Sequence, residues 1–193
     1  MQGFFTEHLI EAGCDEAGRG PLAGPVMAAA VILPRDFDLP GLNDSKKLNE
    51  HTRLSLEDRI KNQALAWAVA HCSPAEIDQF NILQASILAM HRALDSLSLR
   101  PELILVDGNR FRPYPFTAHH CFVKGDARFA SIAAASILAK NERDRQMRQL
   151  ALEFPGYGWE RNMAYPTAEH RRAVKELGLT IHHRKSFRLK ELL

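Results

Sequence analysis

Three places in this chain put a carboxylate at the end of an apolar run with a glycine beside it: Cys14-Asp15-Glu16-Ala17-Gly18, Val106-Asp107-Gly108 and Lys124-Gly125-Asp126. Taken singly, each has an ordinary explanation. Asp15-Glu16 and Asp107-Gly108 read as turns, and Asp126 as the N-cap of a following helix. Taken together they carry more. In open α/β sheets, sites gather at the carboxyl ends of strands. Three neighbouring strand ends would bring Asp15, Glu16, Asp107 and Asp126 into one place. Such a cluster of like charges is costly unless cations neutralise it. A set of hard oxygen ligands favours Mg²⁺ or Mn²⁺ over zinc. Two such ions about 4 Å apart suit in-line displacement at phosphorus. The four carboxylates are therefore the candidate catalytic and metal-ligating residues.

Basic and aromatic residues fit a polyphosphate substrate. Gly18-Arg19-Gly20 suggests close approach of backbone and guanidinium to a phosphate or sugar. Asn43, Lys46 and Lys47 share a polar loop, Lys124 abuts Asp126, and Arg184, Lys185 and Arg188 lie near the end of the chain. Simple solvation accounts for most surface cations. The segments around Arg19, Lys46-Lys47 and Arg184 are singled out as substrate contacts. Tyr165, just before the last helix, is either a stacking platform for a sugar or base or a partly buried aromatic.

The elements that must position these groups follow from pattern. A strand over 9–14 and a second over 26–33 flank a Gly/Pro-rich connection, 18–25, whose length suits an antiparallel pair. Asn49 caps a helix over 50–62 with Leu54, Leu56 and Ile60 inward. Residues 64–72 alternate around Leu65, Trp67 and Val69 as a third strand. Ser73-Pro74-Ala75-Glu76 supplies an N-cap, a first-turn proline and a capping-box glutamate. The short helix it opens leads through Asn81 into a longer one ending near Leu97. The apolar run 103–106 reads as a strand buried on both faces. A further strand over 119–123, a long helix over 127–154 and a last helix over 167–177, closed by Gly178, complete the set. The sum is an α/β fold, a central mixed sheet covered by helices.

Length and composition set the class. The 193 residues, 46% hydrophobic and 25% charged, suit one soluble domain with its own core. A net charge of +2 is too mild to demand a nucleic-acid partner, so any electrostatic footprint is local. Cys14, Cys72 and Cys121 lack zinc-site spacing and read as buried thiols of a reducing compartment. The first residues have no basic region, and Glu7 and Glu11 interrupt their apolar character, so no secretory signal is expected. The apolar run 26–33 is too short to span a bilayer. The expectation is a cytoplasmic monomer with no membrane contact and no obligate protein partner.

In order along residues 10–187, the chain resembles the type 2 ribonuclease H family, bacterial ribonuclease HII. The blocks that carry the resemblance are Asp15 to Val26, Asp44-Ser45-Lys46-Lys47-Leu48, Ile77 to Leu83, Val106-Asp107-Gly108, Lys124-Gly125-Asp126, Ser131 to Lys140 with Arg143, Asp144 and Met147, and His183 to Phe187. The resemblance implies a ribonuclease H-like fold with a five-stranded mixed sheet. It implies a single catalytic domain, residues 1–193, in which about 155–193 form a C-terminal helical substrate-binding extension. It further implies an endonuclease that cuts the RNA strand of RNA–DNA hybrids. Such an enzyme also incises 5′ of ribonucleotides embedded in duplex DNA, leaving 3′-hydroxyl and 5′-phosphate ends. Its cofactors would be two divalent ions, Mn²⁺ or Mg²⁺, held by Asp15, Glu16, Asp107 and Asp126. Gly18, Arg19 and Gly20 would read the ribose 2′-OH, and Tyr165 would stack on the sugar at the RNA–DNA junction. One block departs: Ala164 and Pro166 flank Tyr165 where the family pattern has glycine. Alanine is less tolerant of positive φ, and proline fixes its own angle. The alternatives are another two-metal nuclease or recombinase of similar fold, a magnesium phosphatase, and a hybrid-binding protein without catalysis. The phosphatase lacks its Asp-x-Asp motif at the first strand, and a non-catalytic binder would have lost a carboxylate.

Overall fold

The computed structural model describes residues 1–187. Its five-stranded sheet has the order β3-β2-β1-β4-β5. The strands are β1 (Glu11–Ala17), β2 (Val26–Ile32), β3 (Ala66–Cys72), β4 (Leu103–Asp107) and β5 (Ala118–Phe122). β1, β2 and β3 form an antiparallel meander, whereas β4 runs parallel to β1 and β5 parallel to β4. The helices are α1 (Glu50–Gln63), α2 (Pro74–Phe80), α3 (Ile82–Asp95), α4 (Ala130–Glu153), α5 (Trp159–Asn162) and α6 (Ala168–Leu177). Among the described residues no helix is long and apolar enough to cross a membrane.

The sheet is buried on both faces. Every residue of β2 is buried, and its Ala28, Ala29 and Ala30 let helices come close on either side. On one face α3 presents Ala85, Ala89 and Ala93 to Ala12, Cys14, Ile104 and Val106. On the other, α4 covers Ala29 and Val31 with Ala134, Ala135 and Leu138. Gly13 of β1 sets that second contact. A Cβ there would lie 2.2 Å from the carbonyl carbon of Ser131 in the first turn of α4. The start of α4 therefore rides directly on β1, beside the candidate carboxylates. A polar seam joins α1 to α4: Arg53 donates to Asn141 and Asp144, and Asn141 and Arg145 donate to Glu57.

The caps expected at Asn49 and Ser73 are present, and Thr167, expected as the first residue of the last helix, is its cap. Asn49 accepts from the Thr52 amide, Ser73 and Glu76 form a capping box, and Thr167 accepts from the His170 amide. Several expectations need correction. β1 is longer than a strand over 9–14 and includes Asp15 and Glu16, because both pair with β2, opposite Ala29 and Ala28. Leu54 is exposed, since the inner face of α1 is Arg53, Leu56, Glu57 and Ile60. In β3 the inward residues are Ala66, Ala68 and Cys72. Leu65 and Trp67 face outward, Trp67 beneath the Lys61 ammonium. Asp126 does not cap α4. It lies in a 3₁₀ turn, Gly125–Ala127, and Phe129 stands at the cap position. Cys121 is only partly buried. The short α5 was not anticipated.

Gly13→Ala is expected to lower stability by about 1–3 kcal/mol through overpacking at the β1–α4 contact. Urea unfolding followed by circular dichroism measures it, and an unchanged midpoint would show that α4 has room to move.

Candidate active site

The site opens where two parallel strands part. β1 and β4 pair only as far as Cys14 opposite Val106. Beyond that point β1 stays with β2 and turns into the 18–25 loop, while Asp107 stays with β5, opposite Phe122. The chain leaves β1 toward one side of the sheet and β4 toward the other, which creates a crevice at their carboxyl ends. Asp15 and Glu16 form one wall and Asp107 the other.

Strand alternation sends the adjacent carboxylates to opposite faces. Asp15 lies on the α4 face with Gly13, buried, near the Ser136 hydroxyl. Glu16 opens toward a groove floored by Leu83, Ile87 and Met90 of α3 and edged by Asn109 and Arg110. Asp107 accepts a 2.7 Å hydrogen bond from the Gly125 amide, which ties β4 to the turn carrying Asp126. Asp126 is buried, and with Asp107, Asp44, Lys47 and Lys124 it lines a second groove. A third groove runs past Glu16, the 18–20 loop, Ser45, Lys140 and Tyr165, again with Asp107 in its wall.

The electrostatics agree with this crowding. Burial, then the charges of Glu16 and Asp107, push the Asp15 carboxyl well above the usual carboxylate range. Hydrogen bonds from Ser136 and the Glu16 amide offset this only in part. A cation in the crevice would reverse the balance. The donor set is four carboxylates without a soft ligand, which fits a hard divalent ion. As the side chains stand, no three among the described residues form a closed metal cage.

The predicted substrate residues fall into two groups. Gly18, Arg19, Gly20 and Tyr165 are together. The Tyr165 ring approaches Gly20, where an added Cβ would lie 3.5 Å from its Cε1. The Arg19 guanidinium is half exposed and rests 3.2 Å from Glu16. Asn43 and Lys47 are exposed on the neighbouring loop, and Lys47 faces the groove of Asp126. Lys46 lies in the 3₁₀ turn Ser45–Lys47, but its side chain is outside what the structure describes, as is all of Arg188. Arg184 is a correction. Its side chain is fully buried and donates to backbone carbonyls of the 18–25 loop, so it has no face toward a substrate. Sequence reasoning passed over Ser136, Lys140, Asn109 and Arg110, which line the grooves. Lys140 is held by Asp144, one helical turn away, at 2.7 Å.

The segment before Tyr165 bears out the concern over its flanks. Met163 and Ala164 both have positive φ, at 48° and 63°, a conformation costly for residues with a Cβ. Surrounding bonds enforce it. Leu22 donates to the Ala164 carbonyl, Asn162 accepts from the Ala164 amide, and Ala164 is fully buried. Behind it lies a histidine relay that fixes its own tautomers. His183 Nδ1 accepts from the Thr180 amide at 2.9 Å, so its proton is on Nε2, facing His170 Nε2 at 3.3 Å. Trp159 also donates to His170 Nε2, which leaves His170 Nδ1–H to hold the Tyr165 carbonyl at 3.1 Å. Both rings must be neutral for this pattern to exist.

Comparison with known proteins gives a consistent picture. A model of the family described as ribonuclease HII matches residues 12–190. The chain is 56% identical to ribonuclease HII of Porphyromonas gingivalis, covering 97% of this chain and 94% of the relative. It is 59% identical to ribonuclease HII of Parabacteroides distasonis, covering 93% and 90%. Among solved structures, ribonuclease H2 of Pyrococcus horikoshii matches with a TM-score of 0.76 at 26% identity, covering 94% and 96%. Ribonuclease HII of Archaeoglobus fulgidus, solved in complex with PCNA, matches with a TM-score of 0.75, also at 26% identity, covering 93% and 95%.

The histidine relay makes a pH prediction. Burial first, then the neighbouring His170 and His182, lower His183 from 6.5 to about 4. Between these values the unfolded chain binds more protons than the folded one. The stabilisation is complete above about pH 6.5 and is lost as pH falls toward 4. Urea midpoints measured from pH 7 to 4 should drop, and His183→Gln should flatten part of that slope. Equal slopes in both proteins would remove His183 from the account.

Proposed function

The chain belongs to the ribonuclease HII family, and from that premise we propose that the carboxylates around Asp107 are its catalytic centre. The protein is an endoribonuclease acting on the RNA strand of RNA–DNA hybrids. Within that activity, we assign it incision 5′ of single ribonucleotides embedded in duplex DNA, leaving 3′-hydroxyl and 5′-phosphate ends. The observation that carries the assignment of the centre is the position of Asp107, which lies in the wall of all three grooves that meet at the split between β1 and β4.

Asp15, Glu16, Asp107 and Asp126 would hold two divalent cations, Mg²⁺ or Mn²⁺. Bound there, such ions activate a water and neutralise the leaving oxygen in an in-line displacement at phosphorus. The protein's own residues do the rest. The Gly125 amide fixes the orientation of Asp107. Burial and Ser136 hold Asp15 in one place. Lys47 and Lys124 on one side, and Lys140 on the other, offer positive charge to phosphates flanking the cut. Amides of the 18–20 loop face the ribose 2′-OH, the group that separates RNA from DNA. The Tyr165 ring, next to Gly20, packs against the sugar at the junction. Arg184 serves recognition from beneath the loop and not by direct contact.

A DNA duplex carrying one ribonucleotide, incubated with Mg²⁺, Mn²⁺ or EDTA and mapped on a gel, tests this. Cutting should occur 5′ of the ribonucleotide with either ion and cease with EDTA. Asp107→Asn should reduce turnover by about 10³-fold or more while leaving duplex binding largely intact. Near-native turnover in that variant would sink the assignment of the centre.

A further inference from the structure

The loop that follows β1 is held from beneath by two buried guanidinium groups. Arg184 is fully buried and donates from Nε to the Gly24 carbonyl at 3.0 Å and from Nη1 to the Arg19 carbonyl at 3.0 Å. Its Nη2 donates to the carbonyls of Gly18 at 2.6 Å and Pro25 at 3.1 Å. Arg143, also buried, donates to the carbonyls of Ala23, Pro25 and Met163. A Cβ on Gly18 would lie 2.1 Å from Arg143 Nε, so the backbone rests directly on that guanidinium. Neither arginine has a carboxylate partner among the described ion pairs. Carbonyl dipoles accept all their hydrogen bonds, and the Phe187 ring lies 5.1 Å from the Arg184 guanidinium, an expensive arrangement for two neighbouring buried cations.

In a trans peptide the C=O and N–H point in opposite directions. Turning the Gly18 and Arg19 carbonyls inward onto Arg184 therefore turns the Arg19 and Gly20 amides outward. Among the described residues, neither amide is spent on an acceptor within the fold. Outward of them is the groove that Gly18, Arg19, Gly20 and Tyr165 share with Asp107. We infer that Arg184 is a positioning residue for substrate choice: by holding two carbonyls of the 18–20 loop from below, it presents the Arg19 and Gly20 amides as paired donors to the ribose 2′-OH. The inference rests on the proposed reading of that loop as the 2′-OH recognition element. Lysine cannot replace the arginine, because one ammonium on a flexible stem cannot span four carbonyls as the planar fork does. Asp78 of α2 anchors the same turn from outside. It accepts from the amides of Lys185 and Ser186 and from the Ser186 hydroxyl, at 3.0, 2.8 and 2.6 Å.

The test is a ratio. Affinities are measured in Ca²⁺, to suppress cleavage, for a DNA duplex with one ribonucleotide and for the same duplex all in DNA. The intact protein should prefer the ribonucleotide duplex by about tenfold or more, as one or two hydrogen bonds would give. Arg184→Lys should bring the ratio close to one while leaving affinity for the all-DNA duplex within about twofold. General loosening of the fold would weaken both duplexes alike, and that result would overturn the inference. Retained preference in Arg184→Lys would overturn it too. If Arg184→Lys does not fold, the half-buried Asp78→Ala decides, with a reduced ratio supporting the inference and an unchanged one refuting it. Absence of preference in the intact protein would instead refute the reading of the loop itself.

Discussion

The parting of β1 from β4 after Cys14 and Val106 is the constraint on which the rest of the site depends. Up to that pair the strands share a ladder and their side chains are core. One residue later there is no ladder between them, and the charge of Asp107 acts on the buried Asp15 carboxyl. The parting follows from topology, because β1 continues to an antiparallel partner on one side and β4 to a parallel partner on the other. The four carboxylates are fixed by three devices. Asp15 and Glu16 are held by pairing with β2, Asp107 by pairing with β5 and the Gly125 amide, and Asp126 by the turn ahead of α4. Gly13 brings the first turn of α4 onto β1, which sets the distance between that turn and the strand pair. Four backbones thus converge a set of charges that gain nothing from one another. Burial first, and then the charges of Glu16 and Asp107, raise the Asp15 carboxyl.

The second half of the site is built on opposite chemistry. The 18–25 loop has almost no side-chain interactions of its own. Two buried guanidiniums and the C-terminal segment hold it through its carbonyls and amides. Leu22, Ala23 and Gly24 pair with residues 164 and 182–184, so that Tyr165, the loop and Arg184 form one unit. The histidine relay continues this unit inward, from Thr180 through His183 and His170 to the Tyr165 carbonyl. The positive φ of Met163 and Ala164 is sustained by the same bonds. The proposed recognition surface is thereby tied to segments more than a hundred residues apart in sequence.

Much of this was legible in the residues. The caps at Asn49 and Ser73 rest on local hydrogen bonds, and local bonds leave clear sequence marks. The carboxylates were legible because three separate stretches repeat one pattern. What escaped depends on long-range geometry. The strand character of Asp15 and Glu16 comes from pairing with β2, which no local signal announces. Leu54 suggests a core position by size, and the alternation around Trp67 marks a strand but not its inner face, because that face is closed by alanines, and alanines carry little pattern. Arg184 reads as a surface contact because arginines are seldom fully buried. Its carbonyl partners lie about 160 residues away, so nothing near it in the sequence could reveal them.

The central claim is that divalent cations and the ribonucleotide meet in the crevice between β1 and β4, with the 18–20 loop against the sugar. Diffraction from crystals of the protein with a DNA duplex carrying one ribonucleotide, grown in Ca²⁺, tests it most directly. The account predicts ion density bounded by the carboxylates of Asp15, Glu16, Asp107 and Asp126, with the ribose 2′-OH within hydrogen-bonding distance of the Arg19 and Gly20 amides. Ions bound away from Asp107, or a ribose seated off the loop, would contradict it.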